Sequence, residues 1–215
     1  MLSPVQALLK RHDIPYPYEC IFGLAHLDID KGVFCPIFTN ASPLLLRAID
    51  FRSGERVLDA FAGSGAFGIN AALHGASAVA FDNSKSAIDC ARSNAARNNV
   101  AALIDARVGT FKEAIALYEK FDLIIANPPL LPGSPKGELE AAVYDPGLHA
   151  TIEFVEALPD HLAENGRCYL LTSDVFDQYG HDLSKLCQKN HLTMEIVAQA
   201  NFGYETYRVH RIKLI

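Results

Sequence analysis

Phe121-Asp-Leu-Ile-Ile-Ala-Asn-Pro-Pro-Leu130 decides the fold. Leu123, Ile124 and Ile125 form a short apolar run of the kind that fills a buried parallel strand, and Pro128 and Pro129 forbid its continuation. The chain must therefore leave the sheet at Asn127. Each proline fixes φ at about −65° and removes a backbone donor, and the residue before it is pushed towards extended geometry. What remains at the strand's end is a set of acceptors: the Asn127 side-chain oxygen and the carbonyls of Asn127 and Pro128. Such a set suits an –NH2 group, because both hydrogens can be bonded while the nitrogen lone pair points elsewhere. Taken alone, Asn-Pro-Pro reads equally well as a stiff loop after a strand, so the surrounding chain has to decide.

Upstream, Arg56-Val-Leu-Asp-Ala-Phe-Ala-Gly-Ser-Gly-Ala-Phe-Gly68 is another short apolar strand that opens into glycines and then an alanine-rich helix. Gly63, Gly65 and Gly68 fit the spacing G-x-G-x-x-G, in which small residues let the backbone approach a ligand and a helix N-terminus offers free N–H groups. By itself this spacing is compatible with a nicotinamide or flavin cofactor, or with a tight strand–helix turn. Two carboxylates narrow it. Asp82, after the next strand, Ala78 to Phe81, stands where a doubly wound fold receives ribose hydroxyls. Asp59, beside the glycine turn, would repel a pyrophosphate and favours a ligand carrying an ammonium or sulfonium group. Each aspartate taken singly is also an ordinary helix N-cap.

The rest of the chain alternates helices and strands. Pro4 to Arg11 reads as a short helix, and Phe22 to Phe38 as a hairpin turning at Lys31-Gly32. Thr39 or Asn40 caps a helix with Pro43 in its first turn, ending at Phe51-Arg-Ser-Gly54. Ser84 to Asn98 is helical, with Ala87, Ile88, Ala91 and Ala95 inward; Ala101 to Val108 is a strand, and Lys112 to Tyr118 a helix. The loop after Pro132 is net acidic, a poor landing site for phosphate. Leu148 to Ala163 is a helix stopped by Asn165-Gly166, Cys168 to Leu171 a strand, and Asp182 to Asn190 a helix. Met194 to Ala198 and Tyr207 to Leu214 close the chain as an antiparallel hairpin through Gly203.

With 215 residues, half of them hydrophobic and a fifth charged, the chain suits one substantial core behind a small N-terminal extension. The expected division is 1–38, a helix and hairpin serving as lid or brace, and 39–215. No apolar run is long enough to span a membrane, and the start is not a signal peptide, so cytoplasmic residence is expected. Five widely spaced cysteines without C-x-x-C, and eight scattered histidines, predict free thiols and no metal site. A net charge of −6 lacks the overall field of a nonspecific nucleic-acid binder and leaves only a local basic patch for such a partner.

The glycine turn after one strand, the acid after the next and Asn-Pro-Pro after the fourth together resemble the class I S-adenosylmethionine-dependent methyltransferases. The likeness covers residues 33 to 215, and it is to the branch whose Asn/Asp-Pro-Pro-aromatic motif accompanies methylation of planar amines. Within that branch, Val33 to Ile49 and Gly203-Tyr-Glu-Thr-Tyr-Arg-Val resemble the methyltransferase small domain group, which includes release-factor glutamine methyltransferases. Asp59-Ala-Phe-Ala-Gly-Ser-Gly65 is also similar to ribosomal-RNA methyltransferases. The resemblance implies an α/β architecture: a Rossmann-like, doubly wound, seven-stranded and mostly parallel sheet whose last strand is antiparallel. It implies S-adenosylmethionine as cofactor, with Asp59, Gly63 and Gly65 facing its methionine end and Asp82 its ribose. Thr39, Ala60, Asn83, Thr110 and Phe111 count among the further cofactor contacts. Asn127 and Pro128 become the catalytic pair, and Pro129 and Leu130 line the substrate. Two positions depart from the pattern. Leu130 replaces the usual aromatic, which weakens base stacking unless Phe38, Phe61 or Tyr144 supplies it; Thr110 stands where an acid often follows the third strand, which leaves the adenine contact open. A protein substrate, such as the glutamine of a translation factor, is expected ahead of an RNA nucleobase. The competing classes are a nicotinamide-dependent oxidoreductase and a noncatalytic binding protein on the same fold.

Overall fold

The computed structural model describes residues 2–215. Helix α1 (Pro4–Arg11) opens the chain with a reciprocal cap: Gln6 N–H donates to Ser3 Oγ at 3.2 Å, and Ser3 N–H to Gln6 Oε1 at 2.9 Å. Strands β1 (Tyr18–Phe22) and β2 (Ala25–Ile29) form the hairpin. Its turn is Gly23-Leu24 and not the expected Lys31-Gly32. Gly23 holds φ +60°, a Cβ there would lie 2.3 Å from Asn70 Oδ1, and that oxygen accepts the Leu24 N–H at 2.8 Å. The hairpin's position is thus chosen by a helix far along the chain.

Helix α2 (Ala41–Ala48) starts without the expected side-chain cap, because Asn40 already has helical φ and ψ, and it stops short of Phe51 where Ile49 turns extended. Strand β3 (Arg56–Ala60), helix α3 (Ala66–Leu73), strand β4 (Ser77–Asp82) and helix α4 (Lys85–Arg97) follow as read. Ala101–Leu103 is a 3-10 turn where a strand was expected, and β5 (Ile104–Val108) begins after it. Helix α5 (Phe111–Ala114) is one turn long instead of reaching Tyr118. Ile115 goes extended and buries its side chain, and Tyr118 adopts φ +74°, which a helix does not tolerate. After β6 (Phe121–Ala126) come α6 (Glu138–Ala141) and α7 (His149–His161). Helix α7 passes directly into β7 (Leu162–Ser173): buried Leu162 turns extended to pair with Phe121, so Asn165-Gly166 lies inside the strand and is not the helix stop. Helices α8 (Asp174–Gln178) and α9 (Leu183–Lys189) precede the long strands β8 (Leu192–Asn201) and β9 (Thr206–Leu214).

Seven strands form one sheet in the order β5-β4-β3-β6-β7-β9-β8. The first five are parallel, and β9 runs antiparallel to both of its neighbours. This is the Rossmann-like doubly wound sheet with an antiparallel last strand. Alternation along β6 sends Ile125 to one face, with Leu27, Leu45 and Ile69, and Ile124 to the other, with Phe154 and Leu158. Three asparagines seal the hairpin onto α3 and α4. Asn70 Nδ2 donates to the Phe22 carbonyl at 2.8 Å, while Asn94 and Asn98 side-chain oxygens accept the Asp28 and His26 N–H groups at 2.8 and 2.9 Å. All five cysteines are free thiols, four of them buried. Among the described residues no helix is long and apolar enough to cross a membrane.

Candidate active site

Where β3, β4 and β6 end, the chain leaves a cleft of about 1250 Å³. Its floor is built from loops at the carboxyl ends of parallel strands, the usual place for a ligand in an open α/β sheet. Gly65, at φ +77°, brings α3 so close to α4 that a Cβ would lie 2.9 Å from the Ala91 Cβ. Above Gly63 the space is open. Asp82 braces this turn, its Oδ2 accepting the Gly63 N–H at 3.0 Å and its Oδ1 the Ser84 N–H at 2.9 Å. Burial raises its carboxyl above the ordinary range, against the pull of those bonds.

Of the expected cofactor contacts, Asp59, Ala60 and Gly65 lie behind the residues that line the cleft. Asp59 is 1% exposed and lies behind the turn, where its Oδ2 accepts the Gly68 N–H at 2.7 Å. Burial, with the Asp82 charge adding to it, pushes its carboxyl up to about 8. Through its bond to Gly68 it holds the first turn of α3, next to the glycine turn, to the end of β3. Gly63, Asp82, Asn83, Thr110, Phe111 and Thr39 do line the cleft, as do Asn127, Pro128, Pro129 and Leu130. Thr110 spends its groups locally: its N–H and its hydroxyl both donate to Glu113 Oε2, at 2.9 and 2.8 Å. Phe111 and Phe61 pack on Phe81 and Phe154, making an apolar slot beside Asp82.

At the other end of the cleft, the Asn127 Nδ2 donates to Ser42 Oγ at 3.1 Å. Its Oδ1 receives no donor among the described residues and is not enclosed. Of the rings that could replace the aromatic absent at Leu130, Phe38 is covered by Arg11, His12 and Tyr18, and Phe61 belongs to the slot beside Asp82. Tyr144 has no ring partner among the described residues; it is held beside Leu131 by a β-bridge, with the Leu131 N–H donating to the Val143 carbonyl at 3.1 Å.

Sequence reasoning missed Ser42 and the Tyr204–Tyr207 turn among the residues that line the cleft. Ser42 lies three residues before buried Leu45, on the same helix face, and that phase was the available signal. The charged residues of the lining are Asp82, Glu138, Asp145, Glu153 and Glu205 against Arg11 and Lys85. Both cations are engaged: Arg11 donates to the Phe38 carbonyl at 2.7 Å, and Lys85 pairs with Asp89.

The sequence model of the methyltransferase small domain family matches residues 25–207. The chain belongs to that family. Among its relatives, a tRNA (uracil(54)-C(5))-methyltransferase of Pyrococcus horikoshii is 40% identical over 97 residues, 45% of this chain and 23% of that protein. A release factor glutamine methyltransferase of Mycobacterium tuberculosis is 34% identical over 132 residues, 58% of this chain and 43% of that protein. The chain thus spans less than half the length of either relative. A T. thermophilus 16S rRNA N2 G1207 methyltransferase, solved with AdoMet and guanosine, superimposes with a TM-score of 0.67 at 21% identity, over 92% of this chain and 50% of that one. That likeness establishes the fold. The methyl donor of this family is S-adenosylmethionine, and the cleft of this methyltransferase domain suits it: open space above Gly63, a carboxylate at the end of β4, an apolar slot beside it, and an acidic lining that favours a sulfonium.

Proposed function

We propose that this domain is an S-adenosylmethionine-dependent N-methyltransferase acting on a planar amine, with a protein glutamine amide as the acceptor ahead of a nucleobase. The observation that carries the reading is the uncommitted Oδ1 of Asn127, opening into the same cleft as Gly63 and Asp82. Asp82, Asn83 and the Gly63 turn would hold the cofactor, which supplies an electrophilic methyl group. Asn127 Oδ1 and the Pro128 carbonyl accept both N–H bonds of the acceptor nitrogen, turning its lone pair out of conjugation and towards the donor side of the cleft. The same two oxygens would stabilise the positive charge that develops on nitrogen as the S–C bond breaks and a neutral thioether leaves, so no separate base has to touch it during bond formation, and one N–H proton would then pass to water. Loss of one such contact costs about 3 kcal/mol, roughly a hundredfold in rate.

The acidic lining, with both of its cations engaged, supports a neutral or cationic acceptor over a phosphate-bearing one. Tyr144, a ring without a ring partner among the described residues, favours the second reading, a nucleobase exocyclic amine. A translation factor or RNA as partner, and cytoplasmic residence with them, belong to the same proposal. Incubation with labelled cofactor and either cell protein or cell RNA separates the acceptors; label in RNA alone overturns the glutamine assignment. Asn127→Ala should lower single-turnover transfer about a hundredfold with cofactor affinity intact. Asp82→Ala should do the reverse, weakening cofactor binding by about 1–3 kcal/mol in calorimetry. Full transfer by Asn127→Ala would sink the reading.

A further inference from the structure

Asn127 and Ser42 are 85 positions apart in sequence, and their side chains meet at 3.1 Å. Ser42 is 1% exposed in the first turn of α2, a helix fixed by buried Leu44 and Leu45 against the β7–β9 side of the sheet. Nothing in the Asn-Pro-Pro turn itself sets the orientation of the Asn127 amide. Pro128 and Pro129 carry no N–H, and no donor among the described residues reaches Oδ1. The terminal torsion of an asparagine is close to two-fold, because oxygen and –NH2 have nearly the same shape. A free Asn127 would present –NH2 to the cleft about as readily as oxygen, and –NH2 facing an acceptor's N–H sets donor against donor.

We propose that Ser42 is the positioning residue that sets the polarity of the Asn127 amide, taking Nδ2 so that the cleft is offered an acceptor oxygen. The inference rests on the N-methyltransferase reading of the site. Its consequence for substrate choice is direct: with Nδ2 held on α2, the pocket receives groups that donate two N–H bonds and turns away carbonyl or ether oxygens at the same point. The polarity of the reacting corner is thereby fixed from a helix outside every loop that the motifs mark.

The test has two arms. In 15N-labelled protein, one Asn127 side-chain amide proton should exchange slowly with water, and Ser42→Ala should abolish that protection. Fast exchange of both protons in the unaltered protein would mean that Ser42 donates to Oδ1 instead, and would overturn the proposal without any acceptor being present. In single-turnover transfer at saturating cofactor, to whichever of cell protein or cell RNA takes label, Ser42→Ala should fall about fivefold. Cofactor affinity should stay unchanged, and Ser42→Thr should recover most of the rate. Adding Ser42→Ala to Asn127→Ala should lower the rate no further than Asn127→Ala alone. A wild-type rate in Ser42→Ala beside a crippled Asn127→Ala overturns the positioning role and leaves the reading of Asn127 standing. A further loss in the double variant also overturns it, since Ser42 would then act by another route. Full activity in Asn127→Ala overturns the reading beneath and the proposal with it.

Discussion

Asp59 is a carboxyl whose chemistry is set by what surrounds it. Its Oδ2 is bound to the Gly68 N–H, its Oδ1 is buried without a hydrogen-bond partner among the described residues, and burial raises it to about 8. In the unfolded chain the same group titrates at about 3.9. Between those values the folded protein holds a proton that the unfolded chain has released. This contribution to stability is therefore complete below about pH 4 and is lost as pH rises through about 8. Asp59→Asn mimics the protonated carboxyl and can still accept from Gly68. Thermal midpoints measured from about pH 4 to pH 8 should fall with pH in the parent and be flatter in the variant; parallel curves would assign the slope to another group. Cofactor affinity should survive the change, because Asp59 does not line the cleft.

Helix α1 has no buried residue, yet it walls the cleft with Pro4, Val5, Leu8 and Arg11. It is clipped to the body by Arg11 on the Phe38 carbonyl and by buried His12, whose Nε2 accepts the Cys35 N–H at 3.0 Å. His12→Ala should speed amide exchange across residues 4–11 and leave the sheet amides unchanged, as read by hydrogen exchange with mass spectrometry; uniform acceleration would mean that α1 is part of the cooperative core. At this scale the sequence is legible where periodicity and turn chemistry agree. The glycine turn between β3 and α3, the end of β4 and the proline stop after β6 all combine an apolar run with residues that cannot continue it. The hairpin was misplaced because Gly23 and Gly32 are both acceptable turn residues, and the choice lies with Asn70, Asn94 and Asn98 on helices yet to come. The apolar pattern of Lys112 to Tyr118 is helical, but Glu119 is bonded to Arg56 and Arg107, and the chain unwinds before it reaches that pair. The site divides in the same way. Asn127 and Asp82 were readable as polar groups at strand ends, whereas the direction of Asp59 and the partnership of Ser42 depend on packing between distant segments.

Across the molecule, Arg167 and Glu55 form a nearly buried ion pair at 2.6 Å, with Arg167 also donating to the Asp50 carbonyl. The pair ties β7 to the loop that feeds β3. Arg167→Met strands a carboxylate and should cost about 3–5 kcal/mol in urea unfolding, whereas Arg167→Met with Glu55→Leu should recover most of it. A single variant as stable as the parent would show that the pair carries no such weight. The strand order has a separate consequence during synthesis. Strand β8 is made before β9, but among the described residues β9 is its only neighbour in the sheet and lies between it and β7. As the chain leaves the ribosome, β7 keeps an open edge and β8 has nothing to pair with until Thr206–Leu214 has emerged. Tyr204, Glu205 and Tyr207 reach the cleft at that same moment. A nascent chain therefore cannot finish its pocket before its sheet, and chains broken off ahead of β9 carry an open edge that offers itself to the strands of other chains.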